Sequence, residues 1–350
     1  MERIATLIEQ CKPWSQGVSF AHRGGTRVPI FQCGSNEIGI PGLPGDPLTK
    51  LLHIHGAVML RGLDLPDAGA FQAFVSARNE LMLRYDFASS PRHRVRAGIF
   101  SSTDYPAHET IPQHNEQSYT TTWPGLVWFY CEIAPVERGA TPLADSRQVL
   151  HRIPSAVRRQ FLERGIVYVR NLGTGLDLPW AQVFGTSKRD EVERYCAGAE
   201  ITCRWIGADQ LRTHQRGLVE ISHPFTGQTV WFNQAHLFHV SALSSDISEL
   251  LLTALGEENL PRNVYFHDGQ AIPDEFLVAV RRAYDASKVV IPWQQGDVLL
   301  LDNMLMSHGR EPFSGGRRIL VSMSDPHRFD RNANKVVPTD EPARASEVVT

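Results

Sequence analysis

The sequence predicts a mainly β protein with flanking helices (α+β), arranged as a β-barrel or jelly roll. Many short apolar segments of strand length are separated by turn residues and interrupted by a few amphipathic helices, a pattern that favours barrels over a doubly wound sheet. The glycine-rich fingerprints of dinucleotide- and nucleotide-binding folds, G-x-G-x-x-G and G-x-x-x-x-G-K-[ST], do not occur. The length of 350 residues permits two domains, but barrels of this size often form one.

The first part of the chain alternates irregular, helical and extended segments. Residues 1–46 are rich in Gly and Pro after a short amphipathic start, which predicts irregular structure. A short helix around 51–54 and a strand over 57–61 follow. Apolar residues at helical spacing predict a helix over 67–83, and the segment 110–133 is rich in residues that favour strands.

The remainder alternates helices and strands that end at Gly or Pro. Pro154 divides a helix predicted over 146–164, whereas 171–245 mixes glycine-rich turns with short apolar pieces and is interpreted as an insertion. Residues 327–350 are polar and aperiodic, which predicts a frayed tail. The other predicted elements are a strand over 166–170, helices over 245–255 and 273–287, and strands over 289–293, 297–302 and 318–323.

Charge and composition exclude several classes of protein. The chain has 38 acidic and 35 basic residues and a formal charge of −3, so it lacks the basic face that nucleic-acid binding requires. No apolar run approaches the roughly 18 residues that span a bilayer, and the start of the chain lacks the apolar core of a signal peptide. Five scattered cysteines form no C-x-x-C pair and indicate reduced thiols. We therefore expect a cytoplasmic protein acting on small molecules, with no nucleic-acid or membrane partner.

Two histidine pairs have spacings that metal ligands also use, His53-x-His55 and His236-x-x-His239. Residues i and i+2 of a helix point about 200° apart, so the first pair would share a metal only on a strand. For both pairs the favoured interpretation is structural.

A third histidine pattern has more chemical content. His114 and Glu116 would face the same side of a β-strand, although a lone H-x-E pair more often lies on a solvated edge strand. Much later, a polar turn after an apolar strand carries His308. Two histidines and one carboxylate with open positions form the facial triad of non-haem Fe(II) oxygenases. An arginine downstream, Arg317 or Arg318, is suited to a dicarboxylate cosubstrate.

At this point the sequence resembles a known family, the Fe(II)/2-oxoglutarate-dependent oxygenases of the taurine dioxygenase (TauD/TfdA) superfamily. Within that superfamily it is similar to the syringomycin-biosynthesis (SyrP-like) hydroxylases. The resemblance extends from about residue 56 to residue 323. The segments that carry it follow the family's order and are 114–116 (His-Asn-Glu), 138–145 (Arg-Gly-Ala-Thr-Pro-Leu-Ala-Asp), 231–236 (Trp-Phe-Asn-Gln-Ala-His) and 296–318.

The resemblance implies a fold and a set of metal ligands. The fold is a double-stranded β-helix, the cupin-like jelly roll, with helical insertions. One oxygenase domain would cover residues 1–326, including the insertion at about 171–245, and residues 327–350 would form the tail. His114, Glu116 and His308 would hold Fe(II).

The resemblance also implies an anchor for the cosubstrate. Thr141 and Arg318 would bind the distal carboxylate of 2-oxoglutarate. Without the family, Thr141 is interpreted as a turn residue before Pro142. Arg317 is the alternative anchor, because neighbours on a strand face opposite ways and only one of the two arginines can point inward.

Three residues are candidates for contact with the organic substrate, namely Asn115, Asn233 and Arg310. Arg310 is equally well explained as a solvated cation in a turn. His236 belongs to the same segment as Asn233 and is a second candidate for lining the pocket, while the role of the segment as a whole stays open.

The presence of Glu116 bears on the reaction. Halogenases that this sequence resembles replace the carboxylate ligand by a small residue, so Glu116 favours oxygen transfer to carbon. The resemblance implies O2-dependent hydroxylation of an amino acid or an amino-acid-derived group in specialised metabolism, such as antibiotic biosynthesis, with release of succinate and CO2.

Several alternatives stay open at this stage. Desaturation and epoxidation use the same ligands, the substrate is either free or tethered to a carrier protein, and a homo-oligomer is compatible with the sequence. A zinc hydrolase also uses three N/O ligands, but would leave Thr141 and Arg318 without a purpose. A cupin-like module that binds a metal or ligand without turnover is the alternative outside enzymes.

Overall fold

The computed structural model describes residues 2–12, 15–34, 45–78, 93–103 and 105–339. Its helices are α1 (Glu2–Cys11), α2 (Gly45–His55), α3 (Ala68–Ser76), α4 (Ser146–Arg152), α5 (Ser155–Arg164), α6 (Trp180–Phe184), α7 (Arg189–Gly198), α8 (Ala235–Phe238), α9 (Ser245–Leu255) and α10 (Asp274–Ser287). Its strands are β1 (Ser15–Arg23), β2 (Thr26–Cys33), β3 (Ala57–Arg61), β4 (Arg94–Arg96), β5 (Ile99–Ser101), β6 (Ile111–His114), β7 (Thr122–Ile133), β8 (Glu137–Arg138), β9 (Leu143–Asp145), β10 (Ile166–Leu172), β11 (Ile201–Ile206), β12 (Gln210–Gly217), β13 (Glu220–Ser222), β14 (Thr229–Trp231), β15 (Arg262–Phe266), β16 (Lys288–Val289), β17 (Val298–Asp302), β18 (Met306–Arg310), β19 (Phe313–Ser314), β20 (Arg318–Asp330) and β21 (Lys335–Pro338). Within the described ranges, no helix is both long enough and apolar enough to cross a membrane.

The larger sheet of the barrel has its strands in the order β1-β2-β3-β17-β7-β20-β5-β4, and β21 pairs with β20. All five residues of β17 are buried, which explains its continuous apolar sequence, because a strand covered on both faces has no solvent side. On the outer face of this sheet, α3 packs Phe71 and Phe74 against Tyr130 and Trp128.

The smaller sheet has the order β16-β9-β18-β6, with antiparallel pairs throughout. An apolar layer fills the space between the two sheets and includes Val127, Phe129, Leu143, Leu299 and Met306. Two sheets packed face to face around such a layer form a jelly roll. The predicted fold class, mainly β with flanking helices in a jelly roll, is confirmed.

A third sheet lies outside the barrel strands, in the order β11-β12-β10-β15. Its core joins Phe161 of α5 to Trp231 and Phe266 through edge-to-face ring contacts. The insertion predicted at 171–245 is therefore too short, because the sheet also uses β10 and β15 on either side. The sequence of β10 is as apolar as that of a barrel strand, and it does not reveal which sheet the strand joins.

Two segments predicted as irregular contain regular structure. The described part of residues 1–46 holds α1 and the hairpin of β1 and β2, whose turn uses Gly24 and Gly25 at φ of 55° and 80°. Glycine therefore marks a tight turn here, not an irregular segment. Likewise, β20 continues to Asp330 and pairs with β21, so the frayed tail predicted from residue 327 is wrong for these strands. Residues 340–350 and 79–83 of the predicted elements lie outside the described residues.

Substitution of Gly24 by Ala tests the packing of this hairpin turn. A Cβ atom at Gly24 would lie 2.0 Å from the backbone oxygen of Ala286, at a φ of +55°. Because the backbone of α10 or of the turn must shift, we expect Gly24→Ala to lower the free energy of unfolding by about 1–3 kcal/mol in urea titrations. Gly17→Ala in β1 is the matched control, since nothing lies within 4 Å of the added atom, and we expect a change within about 0.5 kcal/mol. Equal stabilities for the two variants would contradict this account of the turn.

Candidate metal centre

Two paired strands of the smaller sheet bring the predicted metal ligands together. His114 ends β6 and lies directly opposite His308 of β18, with the two ring centroids 4.5 Å apart. The expectation that Glu116 shares a strand with His114 is wrong, because β6 ends at His114. Glu116 instead lies in the following turn, where Gln117 has a φ of 55°.

The three side chains form a compact donor set. One ligand atom from each of His114, Glu116 and His308 lies within 4.8 Å of the other two, and His308 Nε2 is 3.7 Å from Glu116 Oε2. Glu116 and His308 are each only 4% exposed, and Phe129 packs edge-on against His308 with centroids 5.0 Å apart. Two imidazoles and one carboxylate in a partly closed site fit a divalent transition metal with open coordination positions.

A backbone contact sets the tautomer of His114. Its Nδ1 lies 2.9 Å from the carbonyl oxygen of Pro112, and a carbonyl can only accept, so Nδ1 carries the proton and donates it. The lone pair of Nε2 is then left for a metal, and the ring orientation is fixed as in other metal-binding histidines.

Asn303 holds the turn that carries Glu116. Its side-chain oxygen accepts a hydrogen bond from the Glu116 backbone N–H at 2.7 Å, and its side-chain NH2 donates to the carbonyls of Glu116 and Pro124, both at 2.9 Å. Asn303 is fully buried, so each of these polar groups depends on the others for a partner. Sequence reasoning did not single out Asn303, although the polar pair Asp302-Asn303 after four apolar residues was a usable signal.

Asn115 serves the same turn rather than a substrate. It is fully buried, and its side-chain NH2 donates to the Asn303 carbonyl at 2.6 Å and to Ser146 Oγ at 3.1 Å. These contacts use the NH2 group of Asn115 to tie β6 to the turn after β17, and Asn115 does not line the cavity beside the histidines.

A second group with ligand-like side chains consists of His53, His223 and Asp302. The Thr226 backbone N–H donates to His223 Nδ1 at 3.1 Å, so Nδ1 is unprotonated and Nε2 carries the proton, which it donates to Asp302 Oδ2 at 2.9 Å. A protonated nitrogen cannot bind a metal, and we interpret this group as a hydrogen-bonded support. His53 and His55 both lie on α2, in keeping with the structural interpretation of that pair.

The structure does not place Arg318, the predicted cosubstrate anchor, in the cavity beside the histidines, and its neighbour takes the inward position. The Arg318 side chain is half exposed and pairs with Glu132 at 2.7 Å on the outer side of the sheet. Arg317 lines the cavity beside the histidines, together with Ile319 and Val321 on the same face of the chain. The register of β20 shifts between Arg318 and Ile319, so alternation along the strand does not tell which arginine faces the cavity.

Thr141, the predicted partner of Arg318 in the anchor, lies beside Arg317 in this cavity. Arg317 Nε donates to the Gly139 carbonyl at 2.8 Å, its terminal nitrogen approaches Thr141 Oγ1 at 3.5 Å, and Trp293 Nε1 donates to the same hydroxyl at 3.2 Å. Burial lowers the pKa of Arg317 to about 10. Among the described residues no carboxylate pairs with Arg317, so the guanidinium is available to an anionic ligand.

Arg310 lines the same cavity from β18. It is 5% exposed, and its terminal nitrogens donate to the carbonyls of Tyr105, Pro106 and Glu109 at 2.9, 2.5 and 3.0 Å. The alternative of a solvated turn cation is wrong, because Arg310 is strand-borne and buried. It fixes the loop before β6, and through it one wall of the cavity.

A larger cavity of about 430 Å³ adjoins the first and shares Thr103, Ile111 and His114 with it. Its other walls come from the 175–179 loop, from α8 and from the start of β15. The described residues that complete the lining are Tyr105, Thr110, Pro112, Gly175, Leu176, Asp177, Leu178, Pro179, Gln234, Leu237, Phe238, Pro261 and Arg262. The volume of this cavity and its position beside His114 suit a small organic substrate.

Asn233 does not line either cavity. Its NH2 donates to the Val219 carbonyl at 3.0 Å and its oxygen accepts from the Ala235 backbone N–H at 3.1 Å, so the prediction of a substrate contact is wrong and the next residue, Gln234, faces the cavity. His236 is buried, its Nε2–H donates to the Gln113 carbonyl at 2.8 Å, and burial lowers its pKa to about 3. The segment therefore fastens the third sheet to β6.

Comparison with known proteins agrees with this geometry. Residues 40–323 match the model of the taurine catabolism dioxygenase TauD, TfdA family. The dapdiamide synthesis protein DdaC of Enterobacter agglomerans is 39% identical over 280 residues, 80% of this chain and 85% of that protein. A clavaminate synthase-like protein of Arabidopsis thaliana is 31% identical over 288 residues, 79% of this chain and 83% of that protein.

The solved structures support the fold. The structure of PvcB from Pseudomonas aeruginosa has a TM-score of 0.52 at 16% identity and covers 93% of this chain and 96% of PvcB. A second structure describes PvcB as an Fe, α-ketoglutarate-dependent oxygenase from an isonitrile synthetic pathway. With a family model over most of its length and relatives above 30% identity, the chain belongs to the TauD/TfdA family and is a 2-oxoglutarate-dependent non-haem iron dioxygenase that uses Fe(II), 2-oxoglutarate and O2.

Proposed function

We propose that this dioxygenase hydroxylates an unactivated C–H bond of an amino acid or an amino-acid-derived substrate in specialised metabolism. One atom of O2 enters the substrate as an alcohol, and the other enters the succinate that forms when 2-oxoglutarate loses CO2. The relative named for dapdiamide synthesis supports a biosynthetic role. The observation that carries the proposal is a His-Glu-His group whose two histidines line one cavity with Arg317, a guanidinium that pairs with no carboxylate among the described residues.

His114, Glu116 and His308 would hold the Fe(II) ion. Bound there, the metal supplies the oxidising chemistry, while the protein fixes its geometry through the Pro112 contact to His114 and the Asn303 contacts to Glu116. Glu116 occupies the position at which the resembling halogenases have a small residue, and this supports oxygen transfer over halogenation.

Arg317 and Thr141 would receive the distal carboxylate of 2-oxoglutarate. The guanidinium offers parallel N–H donors that match a carboxylate, and the Thr141 hydroxyl, held by Trp293, adds one more donor. Arg317 replaces Arg318 in this role, because Arg318 is committed to Glu132 at the surface.

Removal of one ligand tests the metal assignment. Anaerobic addition of Fe(II) and 2-oxoglutarate to the wild-type protein should give a weak visible charge-transfer band. We expect His308→Ala to abolish the band and to lower 2-oxoglutarate-dependent succinate release at least roughly 100-fold, since a lost ligand costs more than the 10–100-fold typical of its supporting contacts. His151→Ala on the exposed side of α4 is the control and should retain both. An unchanged band in His308→Ala would contradict the assignment.

Two adjacent arginines allow a matched test of the cosubstrate anchor. We expect Arg317→Gln to raise the KM for 2-oxoglutarate roughly 10- to 100-fold, because a charge-assisted hydrogen bond contributes about 1.5–3 kcal/mol. Arg318→Gln loses only an exposed ion pair, worth at most about 1 kcal/mol of stability, and should leave this KM within about twofold. Steady-state kinetics at saturating Fe(II) distinguishes them, and the reverse order would restore Arg318 as the anchor.

Product analysis distinguishes hydroxylation from the related outcomes. Hydroxylation and epoxidation each add one oxygen atom to the substrate mass, whereas desaturation removes two hydrogens, and NMR separates an alcohol from an epoxide. Amino acids presented free and loaded on a carrier protein are the two substrate forms to compare, since a carrier protein is the proposed macromolecular partner if the substrate is tethered.

A further inference from the structure

The larger cavity contains a cation that the reaction proposed above does not use. Arg262 begins β15, lines this cavity and keeps an exposed side chain within it. Its guanidinium carbon lies 5.6 Å from the ring centroid of Phe238, which lines the same cavity. The ring face orients the charge without neutralising it.

No described residue neutralises Arg262 through an ion pair. The nearby carboxylate, Asp177, is already committed: Oδ2 accepts from Arg170 at 3.2 Å and Oδ1 accepts from the Leu178 backbone N–H at 2.8 Å. Arg170 lies directly opposite Arg262 in the pairing of β10 with β15. Two cations therefore face one anion, and this wall of the cavity carries a net positive charge.

The surroundings of Arg262 make its charged form less favourable than it is in water. Burial lowers its pKa, Arg170 acts in the same direction, and Asp177 opposes them. An arginine nevertheless stays protonated, so the charge remains on a side chain that its packed neighbours desolvate in part and whose exposed portion faces the cavity. An anion entering the cavity would offset this cost through charge-assisted hydrogen bonds, whereas a neutral group would not.

We propose that Arg262 binds a free carboxylate of the organic substrate. This inference rests on the proposed function and narrows its substrate class to acids whose carboxylate is ionised on entry. A carboxylate is planar and matches the two parallel donors of the guanidinium. The remainder of the molecule would extend through the cavity of about 430 Å³ towards His114. Amino acids joined to a carrier protein through their only carboxyl group would be poor ligands.

The test compares acids with neutral analogues of the same shape. The probes are the twenty proteinogenic L-amino acids and their Nα-acetyl derivatives, each beside its primary carboxamide. Binding is measured by calorimetry on the metal-free protein, and by the shift of the visible band on the anaerobic Fe(II)/2-oxoglutarate complex. We expect at least one acid to bind at least about tenfold more tightly than its amide, a preference that unpaired polar groups in a site enforce.

Three variants separate Arg262 from general effects. Arg262→Gln should remove the preference for acid over amide while leaving the band of the Fe(II)/2-oxoglutarate complex intact. Arg262→Lys should keep part of the preference for acid over amide. Arg204→Gln is the matched control, since Arg204 is an exposed arginine of β11 in the same sheet and lines neither cavity.

The binding measurements have outcomes that would contradict the proposed role of Arg262. A wild-type protein that binds acids and amides equally, binds no free acid, or accepts only carrier-loaded amino acids overturns the role of Arg262. A preference that survives in Arg262→Gln overturns it as well. If the wild-type protein forms no visible band with Fe(II) and 2-oxoglutarate, that result would instead count against the proposed function. Calorimetry on the metal-free protein would still measure whether Arg262 binds a carboxylate.

Discussion

The metal centre depends on the hydrogen bonds of one buried side chain, Asn303. Glu116 is separated from Asn303 by 187 residues and lies in a turn with no strand partner of its own. The two bonds that Asn303 forms with the backbone of Glu116 hold this turn beside β18. Leaving a buried amide without hydrogen bonds costs free energy, so the turn has few alternative positions. The distance between Glu116 and His308 follows from that constraint.

The turn that carries Asn303 is itself fixed by Asp302. Its Oδ1 accepts from the backbone N–H groups of Met304 and Leu305, both at 3.1 Å, while Oδ2 accepts from His223. His223 in turn belongs to the β13–β14 hairpin. His236 of α8 donates to the carbonyl of Gln113 in β6, and the nearby Gln234 backbone N–H donates to the Tyr168 hydroxyl of β10, so this segment connects the third sheet to β6. The additional sheet is therefore a support for the ligand-bearing strand as well as a cavity wall, which accounts for a role that the sequence left open.

The sequence predicted the ligands of the site better than it predicted their surroundings. His114, Glu116 and His308 were identifiable because the chemistry requires those residue types and the family keeps their order. Arg317 was not, because it precedes β20 and the register of this strand shifts between Arg318 and Ile319, so the alternation of the strand does not extend to the two arginines. Asn115 and Asn233 were assigned to substrate because they neighbour functional segments, yet buried amides are most often consumed by backbone groups. The hairpin at the start of the chain was missed because glycines that make a tight turn have the same composition as an irregular loop.

Two cavities that meet at His114 each contain an arginine. On one side Arg317 faces the narrow cavity, and on the other Arg262 faces the wide one, each without a carboxylate partner among the described residues. Metal ligands that are neutral or anionic lie between these two cations. An anion bound at one arginine is therefore kept apart from an anion at the other, and two acids are accommodated without direct repulsion. With the roles proposed for Arg317 and Arg262, the site would select an anionic cosubstrate and an anionic substrate by the positions of two arginines, and a chain whose overall charge is nearly neutral is compatible with this.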